Sequence, residues 1–145
     1  MKETVVKGVS CEIATEGRLI IERIGLGIGI LIYDGKRKIG VGVHVLAPSS
    51  GDIKYPNPVT YANTAVPYAV NVLKEKGGQG PYSVAIAGAA TMLNMKGKSS
   101  LSGNLIQAVC EALAKANLSA KIDQTGGNQI RTMVLDIDQG KIGIR

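Results

Sequence analysis

A chain of 145 residues, 45 % apolar and 19 % charged, has the composition of a globular protein able to bury a substantial core, and it reads as one domain over 1–145. No apolar run approaches the roughly 18 residues of a membrane span, which argues against membrane insertion, and MKETVVKGVSCEIATEG at the N-terminus lacks the apolar stretch of a secretory signal, which implies a cytoplasmic protein. The net charge of +6 is spread thin, with Lys36, Arg37 and Lys38 as its one tight cluster and no Phe or Trp on which bases could stack, so no nucleic-acid partner is expected.

The first elements read as strands. Residues 4–13, TVVKGVSCEI, and 18–24, RLIIERI, flank the turn ATEG. Then comes IGLGIGILIYD, residues 24–34, in which Gly25, Gly27 and Gly29 alternate with Leu26, Ile28 and Ile30. A dinucleotide-binding loop needs G-x-G-x-x-G opening a helix, whereas Asp34, Gly35 and Lys36 make a turn here. The period of two predicts a strand over 25–33 with one face stripped of side chains. After the DGKRK turn, IGVGVHVLA at 39–47 puts Val41, Val43 and Val45 on one face and Gly42, His44 and Leu46 on the other. Residues 48–58, PSSGDIKYPNP, form a loop long enough to shape a surface.

Helical spacing then appears. Residues 60–76 place Ala62, Ala65, Val66, Ala69, Val72 and Leu73 on one face and stop at Gly77 and Gly78, with a kink at Pro67 unless the regular helix starts at Thr64. SVAIAGAATML, 83–93, is a small-residue strand entering a glycine turn. A second helix, capped by Ser102, aligns Leu105, Ile106, Val109, Cys110 and Leu113, which predicts a buried, inert thiol at Cys110. LSAKID at 118–123 is a short strand and QTGGN at 124–128 a turn; IRTMVLDID and KIGIR close the chain as a hairpin joined at Gln139 and Gly140. The order predicts an α+β sandwich of mainly antiparallel sheet covered by two helices. Cys11 and Cys110 with one histidine cannot build a familiar zinc site, so neither metal nor cofactor is expected.

Five of these pieces, the glycine-alternating strand from Gly25, VGVHVLAP at 41–48, TYANTAV at 60–66, AIAGAATM at 85–92 and TGGN at 125–128, follow one another as in a known family. The sequence resembles the chemoreceptor glutamine deamidases of chemotaxis, the CheD family, nearly end to end. The resemblance implies a cysteine-hydrolase-like scaffold. In it a thiolate attacks the carboxamide of a receptor glutamine, releases ammonia and leaves a thioester that water converts to glutamate. It also implies a Cys, His, Thr triad. The histidine carries over onto His44, but the cysteine position holds Gly27 and the threonine position holds Ile21. The pattern before the second helix is broken too, reading LSGN with Asn104 retained.

Three readings follow. The chain is an inactive relative that binds a chemoreceptor cytoplasmic region or the chemotaxis phosphatase, or a working deamidase that recruits Cys11 as nucleophile, or a binder of some other small ligand in the vacated groove. Without the resemblance, a lone strand histidine such as His44 is a hydrogen-bonded structural residue. Thr125, Gly126, Gly127 and Asn128 suit a tight turn on local chemistry alone, and the resemblance makes them a substrate or partner contact.

Overall fold

The structure is a computed structural model and describes residues 1–91 and 99–145. The elements are β1 (Glu3–Val6), β2 (Cys11–Ala14), β3 (Arg18–Ile24), β4 (Ile28–Asp34), β5 (Ile39–Val45), α1 (Ala62–Glu75), β6 (Ser83–Gly88), α2 (Ser99–Lys115), β7 (Ile122–Thr125), β8 (Arg131–Asp136) and β9 (Lys141–Ile144). They form an outer sheet in the order β1-β3-β8-β9 and a central sheet in the order β2-β5-β4-β6-β7. Pairing is antiparallel except for β1 with β3 and β6 with β7. The expected α+β sandwich is therefore the observed one, in three layers.

The alternation along β4 and β5 explains the layering. Ile28, Ile30 and Ile32 and Val41, Val43 and Val45 join a core with Ala65, Val66 and Ala69 of α1 and Leu105, Val109 and Leu113 of α2. The opposite face, carrying Leu31, Tyr33, Ala85 and Ala87, packs on Leu19, Ile21, Ile24, Met133 and Leu135 of the outer sheet. The glycines of this face let the sheets close up. A Cβ at Gly29 would meet Ile24, Met133 and Ile21; at Gly40, Leu135, Ile137 and Leu19; at Gly42, Val6 and Ile21. The bare face is thus filled by outer-sheet side chains, and these three positions leave no groove for a ligand.

Several elements depart from the sequence reading. The strand expected over 4–13 splits at Gly8, whose φ of 62° breaks the extended chain, so β1 joins the outer sheet and β2 the central one. The strand expected from residue 25 begins at Ile28, after a bend that follows Arg23 with φ of 54°. The strand expected over 83–93 ends at Gly88, where φ turns to 122°, and residues 92 and 93 lie outside the described residues. The short strand near 118–123 is β7 at Ile122–Thr125. Helix α1 starts at Ala62 and keeps Pro67 inside it, on an exposed position. Ser102 is already within α2, not at its cap. Cys110 is exposed: the buried stripe of α2 runs through Leu105, Val109, Ala112 and Leu113, and Cys110 stands one step round from Val109.

Candidate functional site

The rim of the central sheet where β4 begins and β5, β6 and β7 end brings the site residues together. Ile28 pairs with Val45 on one side and Gly88 on the other, and Gly88 pairs with Thr125. Just outside that line, the bend at 25–27 is pinned to the end of β6, because Gly27 O accepts from Ala89 N at 2.7 Å and Gly25 O from Ala90 N at 2.9 Å. The same loop holds the TGGN turn. Gly126 N donates to Gly88 O at 2.8 Å, and Thr91 donates to Gly127 O through its N at 2.8 Å and its Oγ1 at 3.2 Å.

His44 lies on β5 beside this bend. Its parity with Gly40 and Gly42 turns the side chain toward the outer sheet, and it is 8 % exposed. A Cβ added at Gly27 would collide with the Val45 carbonyl and lie 2.9 Å from His44 Nε2. The imidazole thus borders the space that a side chain at residue 27 would enter. Burial pushes the His44 pKa below its ordinary value of 6.5, with the Gly8 backbone acting in the opposite direction. Its Nδ1 is buried, with no partner in hydrogen-bond geometry among the described residues.

Ile21 packs beside the histidine strand. Gly29 pairs with His44, and Ile21 Cδ1 stands 3.3 Å from the Cβ positions of both Gly29 and Gly42. Ile21 is fully buried, so the group beside the histidine strand is a hydrocarbon committed to the inter-sheet core. His44 Nε2 thus stands beside a glycine at the bend, and the hydrocarbon of Ile21 packs against the neighbouring glycines of the same sheet face.

Cys11 is not brought to this site. It pairs with Val43, and paired residues share a face, so its side chain packs into the core on the helix side of the central sheet while His44 points to the other side. Burial and the neighbouring Glu12 raise its thiol to about 11, which leaves almost no thiolate at neutral pH. The exposed Cys110, on α2, has its pKa raised by partial burial and Asp123.

Sequence reasoning missed Arg131. Its Nη1 donates to Gln124 O at 2.6 Å and Gly126 O at 2.8 Å, bracing the TGGN turn from the outer sheet. Thr125 turns inward on its own chain, its Oγ1 donating to Asp123 Oδ1 at 2.6 Å and its N donating to the same oxygen at 3.0 Å. Asn128 is exposed at the end of the turn. No periodicity marks Arg131, since its role comes from a register between sheets. The basic cluster in the β4–β5 turn is largely committed to structure: Arg37 pairs with Asp34, and Lys38 Nζ donates to Asp138 O. Among the described residues, no group of three or more metal-ligating side chains occurs and no helix is long and apolar enough to cross a membrane.

Fold and rim together define a layered α+β scaffold with a buried histidine beside a glycine bend, a class in which function is decided by the site and not by the fold. The CheD family, described as CheD chemotactic sensory transduction, matches residues 46–145. Full-length relatives extend the similarity into the N-terminal strands. The "Probable chemoreceptor glutamine deamidase CheD" of Clostridium botulinum (strain Eklund 17B) is 35 % identical over 133 residues, 86 % of this chain and 82 % of the relative. The protein of the same name from Clostridium botulinum (strain Alaska E43) is 31 % identical over 139 residues, 92 % and 85 % of the two chains. That of Clostridium kluyveri is 35 % identical over 133 residues, 88 % and 82 %. The chain belongs to the CheD family.

Proposed function

We propose that this chain is a binding member of the deamidase family in which amide hydrolysis has been lost, and that it acts in chemotaxis by engaging a chemoreceptor cytoplasmic region or the chemotaxis phosphatase. One observation carries the loss of activity: the imidazole of His44 faces Gly27, with its Nδ1 unpartnered. The chemistry needs a thiolate, a base and an orienting group, and only the base is in place.

Binding is supported by what surrounds that closed pair. Leu26 is 57 % exposed, Leu46 53 % and Ile130 69 %. Leu26 belongs to the bend, Leu46 follows Val45, and Ile130 lies opposite Gly25 if the pairing of Ile24 with Arg131 continues by one residue. Three large apolar side chains round one rim suit a protein partner better than solvent. Isothermal titration of the purified chain with a chemoreceptor cytoplasmic fragment and with the chemotaxis phosphatase of the same organism tests this reading. The expected result is saturable binding to at least one, weakened tenfold or more by Leu46→Asp. No binding to either, under conditions where an active relative binds, contradicts it.

A further inference from the structure

The clamp on the TGGN turn uses one edge of a guanidinium and leaves another free. Arg131 Nη1 is spent on the carbonyls of Gln124 and Gly126. Its Nη2 donates to nothing among the described residues and stands 3.2 Å from where a Cβ of Gly127 would be. That position is empty because φ at Gly127 is +78°, a conformation that favours glycine, and Gly127 and Asn128 are both exposed. The turn therefore offers a half-used planar cation behind a residue with no side chain, on the same rim as His44.

We infer that Arg131 and the Gly127 face of the turn form a carboxylate contact, so that the rim selects a partner's acidic side chain over the corresponding carboxamide. The inference rests on the reading of this rim as a binding face and adds the charge state that it reads. A guanidinium edge donates to a carboxylate oxygen through a charge-assisted hydrogen bond, whereas a carboxamide brings no charge and presents its NH2 as a second donor. The fixed geometry matters because Nη1 is already anchored by two carbonyls, so Nη2 is held in place before any ligand arrives. Lysine retains the charge but cannot hold the turn and the ligand through separate edges.

Capped glutamate and capped glutamine, each an N-acetyl, N-methylamide derivative, serve as probes in ¹⁵N-detected titrations of the full chain at low salt. The glutamate probe should give saturable shifts at the amides of 126–128 and at the Arg131 side chain, with at least fivefold weaker response to glutamine. Arg131→Gln should abolish the difference, and Arg131→Lys should leave no more than a small part of it. Should Arg131→Gln unfold the turn, seen as faster amide exchange at 125–128, the wild-type titration is repeated at high salt. Screening should weaken the glutamate response and leave any glutamine response unchanged; an unchanged glutamate response overturns the inference. Equal response to both probes, or none to either, overturns the inference. Failure of the receptor fragment and phosphatase to bind would instead count against the rim as a partner face.

Discussion

At the scale of single residues, the proposed loss of activity turns on Gly27, Ile21 and His44. Replacing Gly27 by cysteine puts a Cβ against the Val45 carbonyl, a backbone group that cannot swing aside, so Gly27→Cys should cost about 1–3 kcal/mol by urea denaturation. Unchanged stability would mean that the bend relaxes freely. Gly27→Cys combined with Ile21→Thr should recover measurable but low release of ammonia from a glutamine-bearing receptor peptide, and the cysteine alone should recover less, since Nδ1 would still lack a partner. His44 also titrates in a predictable sense. Its folded pKa is depressed, so the unfolded chain binds more protons as pH falls through 6.5, and stability should drop with acidification from pH 7. His44→Gln should remove that part of the slope, measured as urea midpoints at pH 7.5 and 5.5; an unaltered slope would contradict the burial argument. The family resemblance is what singles out residues 21, 27 and 44 in the sequence. That the imidazole closes on Gly27 was not legible there, because it depends on the approach of a bend to the end of β5.

At the scale of elements, alternation was the readable signal and chain direction the unreadable one. Val41, Val43 and Val45 against Gly42 and His44 sorted correctly onto two faces, because a strand's side-chain period survives any tertiary context. The passage of 4–13 from one sheet to the other did not show, since one left-handed glycine among strand-forming residues looks like a tolerated defect. Cys110 was misplaced by one helical step, about 100°, where a stripe assigned from five apolar residues has no sharper resolution. The β4–β5 turn hid a clasp. Asp34 is fully buried and accepts from Lys36 N at 3.1 Å, Arg37 N at 3.1 Å and Nη1 at 3.0 Å, Gln79 N at 3.0 Å and Gly80 N at 3.2 Å. Burial raises its carboxyl, but bonds from Gln79, Arg37 and Gly80 outweigh burial and bring it down to about 2. The sign is that of a depressed acid: its stabilisation is present above the ordinary value of 3.8 and lost as pH falls toward 2. Asp34→Asn should destabilise by roughly 1–3 kcal/mol at pH 7, because the amide offers one acceptor where the carboxylate offers two. The difference between wild type and variant should shrink below pH 3.5; a constant difference would contradict the clasp.

At the scale of the whole molecule, the three layers enclose two cores, one on each face of the central sheet. The outer sheet fills the glycine positions of the central sheet with Ile21, Ile24, Met133 and Leu135, so these side chains hold the two sheets together. Burying a side chain such as Ile21 contributes about 1.5–3 kcal/mol. The order of strands and helices made this α+β arrangement legible, but strand order within each sheet was not, because parallel pairs such as β1 with β3 join segments whose adjacency no local pattern reports. The proposed loss of amide hydrolysis is checked by ammonia release from a glutamine-bearing chemoreceptor fragment of the same organism. Wild type and His44→Ala should be indistinguishable from each other and from buffer, while an active relative releases ammonia under the same conditions. Release by wild type that Cys11→Ala or His44→Ala abolishes would contradict the account.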